Sequence, residues 1–224
     1  VVRDAASSSD RLFQTSDPPW QAYNAYGGYF IEYPDYGPGS TRAFKASYNR
    51  PFLTRQENNG LGSFNFLFHA EYPMVRWLEA NGYDVTYFTG VDADRRGELI
   101  ARHKAYLSVG HDEYWSKAQR DNVTAARDLG LPEQSAPVHL AFFSGNEVYR
   151  KIRWETSIDG SGTPYRTMVC YKESNADTKI DPVADVWTGS WRDSRFSPPA
   201  DGGLPENALT GTLIVDAVRL AFTG

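Results

Sequence analysis

Short runs of apolar residues, bounded by Gly, Pro, Asn or Asp, recur along the chain and predict six β-strands. Runs of this length that are rich in β-branched and aromatic residues are typical of partly or fully buried strands. The predicted strands are Arg11–Thr15, Ala43–Asn49, Asp84–Thr89, Ala105–Val109, Val138–Phe143 and Tyr165–Tyr171. Several of the segments between them have apolar residues at helical spacing, which indicates that helices connect many of these strands.

Four stretches predict these helices: His69–Ala80, Gly97–Arg102, Ser116–Asp128 and Glu147–Trp154. Asn81–Gly82 supplies a left-handed stop after the first of them. Ser116 and Gln119 have the spacing of a capping box at the start of the third helix. Asn146 is in position to cap the fourth helix, although a capping residue can also face a cleft.

Strands and helices alternate from about residue 69 to residue 154, at the lengths of βαβ units. This pattern predicts a single α/β domain, residues 1–224, with a mostly parallel sheet flanked by helices. Outside this region, Asp17–Trp20 ends the first strand, and irregular loops cover Gln21–Gly39 and Asp181–Asn207. Asp92 and Asp94 are interpreted as a solvated turn, because their loop lacks the spaced ligands of a calcium site.

Reactive side chains follow three of the predicted strands. Gly110–Tyr114 comes directly after one strand, Ser144–Glu147 comes after another, and Tyr23 follows the first strand after a short turn. In open parallel sheets, ligands bind beyond the carboxyl ends of the strands. We therefore expect these three segments to meet at one edge of the sheet.

His111 and Glu113 are two residues apart, so in an extended segment their side chains point the same way. They could ligate a metal, or act as a base and its orienting partner. The alternative is that they only cap the helix that opens near Ser116. Tyr23, taken alone, is better explained as a core tyrosine with a bonded hydroxyl. The residues by themselves leave these alternatives open.

Composition narrows the classes of function. The chain has 224 residues and a net charge of −5, and its Lys and Arg residues form no stripe of the kind that nucleic-acid binding needs. No apolar run of about 18 residues exists, so we expect no membrane span and a soluble protein, with the cytoplasm favoured. Cys170 is the only cysteine, which excludes an internal disulfide and a cysteine zinc cluster. The Gly-x-Ser-x-Gly, phosphate-loop and dinucleotide-binding motifs are absent from the sequence.

Four stretches together resemble one family. They are Trp20–Gly28, Ala70–Asp84, Ser108–Trp115 and Phe142–Glu147. In this order they resemble the C-terminal catalytic domain of the N,N-dimethylformamidase large (beta) subunit. The resemblance extends from about residue 11 to residue 210, and Gly-His-Asp-Glu-Tyr-Trp is its most specific motif. Arg150 departs from the family pattern, which leads us to expect an aromatic side chain at that position.

The resemblance implies a flavodoxin-like fold similar to that of the class I glutamine amidotransferases, without their cysteine nucleophile. It also implies one ferric iron per chain, held by two tyrosines and one carboxylate, with a histidine beside it. On this sequence the carboxylate is Glu113, the histidine is His111 and the first tyrosine is Tyr23. The candidates for the second tyrosine are Tyr48, which matches best, and then Tyr33 and Tyr26. Phenolate and carboxylate are hard anionic donors that suit a trivalent ion, and zinc is the alternative metal.

The function implied by the resemblance is hydrolysis of a small amide to a carboxylate and an amine. In this scheme His111, Glu113 and Asn146 are catalytic, while Tyr23, Tyr48 and Glu113 hold the iron. Besides the amide substrate, a small second subunit and a homo-oligomer are the implied partners. The alternative is a non-catalytic or carbohydrate-binding module that keeps the fold and binds through its Trp- and Tyr-rich loops.

Overall fold

The computed structural model of the chain describes residues 4, 6–27, 30–31, 42–53, 57–58, 61–62, 66–129, 136–183, 185–195 and 203–213. The strands in these ranges are β1 Arg11–Thr15, β2 Lys45–Ser47, β3 Glu57–Asn58, β4 Leu61–Gly62, β5 Val85–Thr89, β6 Ala105–Gly110, β7 Tyr114–Ser116, β8 His139–Ser144, β9 Arg150–Glu155 and β10 Thr167–Val169. The α-helices are α1 Asp17–Ala22, α2 Leu67–Ala70, α3 Tyr72–Ala80, α4 Gly90–Arg95, α5 Lys117–Leu129, α6 Glu173–Ala176 and α7 Asn207–Thr210. A 3-10 helix covers Gly97–Arg102.

A parallel sheet is formed by β5, β1, β6 and β8, in that order. β1 is hydrogen-bonded to β5 on one side, from Arg11 paired with Val85 to Thr15 paired with Thr89, and to β6 on the other. From β1 the chain continues to β5 on one side of β1, and it then crosses back to β6 on the other side. The strand order therefore reverses between β1 and β6. In chain order the sheet reads 2-1-3-4, which is the beginning of the flavodoxin-like order. The predicted parallel α/β architecture is confirmed, and its likeness to the glutamine amidotransferases stays a prediction.

Helices cover both faces of this sheet, because successive strand residues point to opposite sides. Leu12 in β1 belongs to a core cluster with Val123 of α5. The next residue, Phe13, belongs to a different cluster with Val75 and Leu78 of α3. All five side chains are buried. The helices α3 and α5 thus pack on opposite faces, as expected for a doubly wound sheet.

A second four-stranded sheet has the order β2-β10-β9-β7. β10 is antiparallel to both β2 and β9, whereas β7 and β9 are parallel. Tyr114, Ile152 and Met168 are buried in a core cluster of this sheet, and Tyr23 belongs to the same cluster. Because β7 follows β6 after only a short loop, the second sheet begins next to the carboxyl end of the parallel sheet.

The predicted helix Glu147–Trp154 is wrong, because most of this segment forms strand β9. It pairs with Tyr114–Ser116 on one side and with Thr167–Val169 on the other. Its basic residues resemble the solvated face of a helix, yet Arg150 and Lys151 are only 6% and 1% exposed. Pairing with two distant strands therefore overrides the local pattern.

Asp17–Trp20 begins helix α1, although the sequence predicts only the end of a strand there. Pro18 and Pro19 lie in the first turn, where a helix does not need their missing N–H groups. The prediction of Asp92 as part of a solvated turn is also wrong. Asp92 is 5% exposed and forms a capping box with Thr89 at the start of α4. The helices α1 and α4 therefore begin just after β1 and β5, and they bring Asp17 and Asp92 to the carboxyl edge of the parallel sheet.

The predicted helix His69–Ala80 is present as α2 and α3, which meet at Glu71. Its predicted stop is confirmed, since Gly82 has a φ of +70° and donates a backbone hydrogen bond to the carbonyl of Glu79. None of the helices within the described ranges has the length and apolar character that crossing a bilayer requires.

Candidate active site

Three of the predicted side chains meet beyond the carboxyl ends of β1 and β6. Tyr23 is the C-cap of α1, and its hydroxyl donates a hydrogen bond of 2.8 Å to Oε2 of Glu113. Nε2 of His111 lies 3.2 Å from that hydroxyl and 3.2 Å from the same carboxylate oxygen. We call this arrangement of Tyr23, His111 and Glu113 the polar triangle. It lies where the strand order reverses, which is the usual ligand-binding position in an open α/β sheet.

Two members of the polar triangle are buried, and the third is partly exposed. Tyr23 is 6% exposed and Glu113 is 2% exposed, whereas the side chain of His111 is 22% exposed. The rings of Tyr23 and His111 meet edge to face, with their centroids 5.5 Å apart. His111 is therefore the member that a small molecule entering from solvent reaches most easily.

Buried cations flank the carboxylate of Glu113. Nε of Arg150 lies 3.4 Å from Oε1 of Glu113, and both Arg150 and Lys172 are buried. Burial by itself raises the pKa of this carboxyl, but the hydrogen bond with His111 and the charges of Arg150, His111 and Lys172 lower it below its ordinary value. Glu113 is therefore ionised at neutral pH. One of its oxygens faces Arg150, and the other faces Tyr23 and His111.

The loop that follows β6 is held in place by buried hydrogen bonds to Asp112. This side chain is fully buried, and its Oδ2 accepts hydrogen bonds from Gln14 in β1 and Ser108 in β6. Its backbone N–H donates to the hydroxyl of Ser144 at the end of β8. Burial raises the pKa of Asp112 well above its ordinary value, which favours the neutral acid. These contacts fix the loop between His111 and Glu113 to three neighbouring strands.

A further buried acid, Glu71, packs against the end of β6. Oε1 of Glu71 accepts hydrogen bonds from the backbone N–H and hydroxyl of Ser16 and from the indole N–H of Trp20. Burial raises the pKa of Glu71 to about 7. Gly110 has a φ of +100°, and a Cβ atom at this position would lie 2.8 Å from Cγ of Glu71. Glycine is therefore needed here both for the backbone conformation and for the approach of the acid.

Asn146 lies in the turn between β8 and β9, and its prediction as a helix cap is wrong because a strand follows. It has a φ of +53° and is partly exposed. The turn is attached to the loop after β6, since Gly145 N–H donates to the carbonyl of Gly110 and Val148 N–H donates to that of Asp112. The Asn146 side chain makes no hydrogen bond to the part of the chain that the structure describes. Its catalytic role stays a prediction.

Tyr48, predicted to be the second tyrosine ligand, contacts a different group. Its hydroxyl donates a hydrogen bond of 3.1 Å to Oδ2 of Asp17, at the N-terminal end of α1. Tyr23 is at the other end of this helix, and six residues of α-helix span about 9 Å. Among the alternatives, Tyr26 is 46% exposed, and Tyr33 lies outside the described residues. The identity of a second phenolate ligand stays a prediction.

The polar triangle has donor types and spacing that fit a metal ion. Two ligand atoms at right angles, each about 2.1 Å from one ion, are about 3.0 Å apart. The three separations in the polar triangle are 2.8, 3.2 and 3.2 Å. Across the described ranges, no group of three or more His, Cys, Asp and Glu side chains is arranged to hold a metal. A metal at this site would therefore depend on the phenol of Tyr23.

Comparison with protein families gives a match over almost the whole chain. The family described as N,N-dimethylformamidase beta subunit-like, C-terminal, matches residues 1–222. The chain belongs to this family. The resemblance seen in the sequence is thereby confirmed, and at a coarse level it indicates an N,N-dimethylformamidase-like amide hydrolase. No curated protein matches the chain.

Part of the site in this N,N-dimethylformamidase-like chain could not be assigned from its sequence. Arg150 is noticeable only as a departure from the family pattern, yet its guanidinium lies against Glu113. Asp112 is inside the most specific family motif, where its type gives no sign that it is a buried structural acid. Lys172 lies outside the four family-like stretches, and Glu71 lies inside one of them without any sign that it is a buried acid beside the site. Their positions depend on tertiary packing alone.

Proposed function

We propose that the chain hydrolyses a small formamide-type amide at the polar triangle of Tyr23, His111 and Glu113. Water attacks the amide carbonyl, the C–N bond breaks, and a carboxylate and an amine are released. The observation that carries the proposal is the 2.8 Å contact between the Tyr23 hydroxyl and the Glu113 carboxylate, beside His111. Membership in the N,N-dimethylformamidase-like family supports the class of reaction.

The proposal includes one ferric iron per chain, with Tyr23 and Glu113 as ligands and His111 beside it. When bound, such an ion polarises a carbonyl and lowers the pKa of a water molecule on it. Hard anionic oxygens support this choice of metal over softer ions. The positive charges of Arg150 and Lys172 oppose binding of a metal cation nearby. The negative charges of the Tyr23 phenolate and the Glu113 carboxylate are therefore both needed to offset them. Zinc is the alternative metal, since an imidazole nitrogen also suits it.

The residues of the polar triangle have distinct tasks in this reaction. Glu113 is ionised, and its Oε2 is the oxygen that is not engaged by Arg150. This oxygen can orient the attacking water or accept its proton. His111 lies within hydrogen-bonding reach of the same atom and is open to solvent, which suits transfer of that proton to the departing amine. Asn146, in the adjoining turn, carries an amide that can bind the substrate.

Two further features of the proposal concern the fold and its partners. The strand order 2-1-3-4 supports a glutamine amidotransferase-like, flavodoxin-like arrangement. The words "beta subunit-like" in the family description support a small second subunit. Both belong to the proposal, together with Tyr48 as the second phenolate and assembly into a homo-oligomer.

The test is release of the amine from N,N-dimethylformamide and from formamide by the purified chain, supplied with ferric iron in one series and with zinc in another. Glu113→Gln and Tyr23→Phe are each expected to lower the rate by about 100-fold or more. Tyr87 and Glu79 provide a matched control, because they form a separate tyrosine–glutamate hydrogen bond of 2.6 Å. Tyr87→Phe and Glu79→Gln should leave the rate unchanged.

Two results would contradict this proposal. Full amine release by Glu113→Gln would show that hydrolysis occurs elsewhere. A folded chain that binds either metal and releases no amine from either amide would contradict the reaction itself. Sugar binding by the metal-free chain would then favour a non-catalytic module.

A further inference from the structure

A cavity of about 450 Å³ lies at the N-terminal end of α1, the opposite end from Tyr23, beside the carboxyl ends of β1 and β5. Its lining includes Asp17, Tyr48, Asp92, Arg95, Tyr165 and Arg166. It thus combines two acids, two arginines and two tyrosine rings. Tyr48 lines it, but none of the three residues of the polar triangle does. Anion binding by the two arginines is therefore separate from amide hydrolysis at the polar triangle.

The acids in this cavity already have hydrogen-bond donors. Asp17 accepts hydrogen bonds from the backbone N–H of Gly90 and from the hydroxyl of Tyr48. Oδ2 of Asp92 accepts from the backbone N–H and the hydroxyl of Thr89. The acids therefore have little remaining need for a cationic ligand.

The two arginines in this cavity have no hydrogen-bond acceptors among the residues that the structure describes. Within the described part of the chain, the guanidinium groups of Arg95 and Arg166 make no hydrogen bond or ion pair, and both side chains are exposed. Their N–H groups are donors in a planar array that matches the oxygens of a carboxylate or a phosphate. The unmet hydrogen-bonding capacity of the cavity is therefore cationic, and it calls for an anionic acceptor.

The side chain of Arg95 packs on the aromatic ring of Tyr165. Its guanidinium lies over the ring of Tyr165, 4.8 Å from the ring centroid. Tyr165 has a φ of +59°, a left-handed conformation that costs a non-glycine residue energy and often occurs at functional sites. The same ring packs against Trp154. The strained residue thus supplies a fixed platform for one of the two guanidinium groups.

We propose that this cavity is a binding site for a small oxyanion, a carboxylate or a phosphate group, held by Arg95 and Arg166. The aromatic ring of Tyr165 positions Arg95, while Tyr48 and Asp17 form a polar wall. A ligand that carries such a group on a compact organic body fits the volume.

The test uses the full chain and two probes, inorganic phosphate and acetate, each titrated at constant ionic strength with chloride as the reference anion. Chemical shifts of the backbone amides report both the affinity and the place of binding. We expect saturable shifts around residues 89–95 and 163–166 with at least one probe, and the tighter probe identifies the oxyanion. The double variant Arg95→Gln/Arg166→Gln should weaken this binding by about ten-fold or more.

The matched control is Arg76→Gln/Arg102→Gln, which removes two exposed positive charges outside the cavity. It should leave the binding unchanged, so that a general effect of net charge is separated from a local one. Both cavity arginines are exposed, and an unaltered circular dichroism spectrum of the double variant will verify its fold. Linear, non-saturating shifts with both probes would overturn the proposal. Undiminished binding by the folded double variant would also overturn it.

Discussion

Replacement of Gly110 by alanine tests whether the end of β6 is shaped by the buried acid Glu71. Gly110 has a φ of +100°, and a Cβ atom there would lie 2.8 Å from Cγ of Glu71 and 3.0 Å from Oγ of Ser16. A left-handed backbone costs a residue with a Cβ about 1–2 kcal/mol. Overpacking of a close contact costs about 1–3 kcal/mol more. Gly110→Ala should therefore lower the free energy of unfolding by about 2–5 kcal/mol.

Gly82→Ala is the matched control for this substitution. Gly82 also has a positive φ, +70°, but a Cβ atom there would meet nothing within 4 Å. This variant should lose only the backbone contribution of about 1–2 kcal/mol. Urea unfolding followed by tryptophan fluorescence measures both values. In a Glu71→Ala background, the effect of Gly110→Ala should shrink by about 1 kcal/mol or more, because the two residues are in contact. Equal losses at Gly110 and Gly82 in the natural background would refute this explanation.

Three further predictions concern stability. Burial raises the pKa of Glu71 to about 7, so the stability contributed by its protonated form is complete below about pH 4 and is lost as the pH rises through 7. Glu71→Gln should therefore flatten the fall of the urea midpoint between about pH 4 and pH 7. An unaltered pH profile would contradict this prediction. Trp20→Phe removes the 2.7 Å indole hydrogen bond to Glu71 and should cost about 1–3 kcal/mol, whereas the exposed Trp77→Phe should cost much less in the same assay. Ser116→Ala removes the N-terminal cap of α5, in which the Ser116 hydroxyl accepts a hydrogen bond of 3.1 Å from the Gln119 N–H, and it should lower the free energy of unfolding by about 1 kcal/mol. A melting temperature equal to that of the natural chain would argue against this cap.

The parallel sheet could be predicted from sequence because its strands are short apolar runs separated by helices. Strand β9 could not, since Arg150 and Lys151 are buried only through pairing with strands far away along the chain. Helix α1 also could not be predicted, because Pro18 and Pro19 in its first turn are typical of a loop rather than of a helix. In each case tertiary contacts, rather than local periodicity, decide the structure.

The candidate site likewise combines contacts that could be predicted from the sequence with contacts that could not. Tyr23, His111 and Glu113 could be predicted to meet because each follows a parallel strand, and the carboxyl ends of such strands share one edge. The position of Tyr48 depends on how its strand packs beside α1, and there its hydroxyl meets Asp17. No spacing along the sequence indicates such a contact.

The phenol of Tyr23 and the carboxylate of Glu113 are proposed to bind one ferric ion. Titration of the purified chain with ferric iron, followed by visible absorption, tests this claim most directly, because an iron-bound tyrosinate absorbs visible light. We expect a saturable band at one iron per chain, retained in Tyr87→Phe and abolished or strongly reduced in Tyr23→Phe and Glu113→Gln. A band of full intensity in Tyr23→Phe, or no band in the natural chain after iron is added, would contradict the claim.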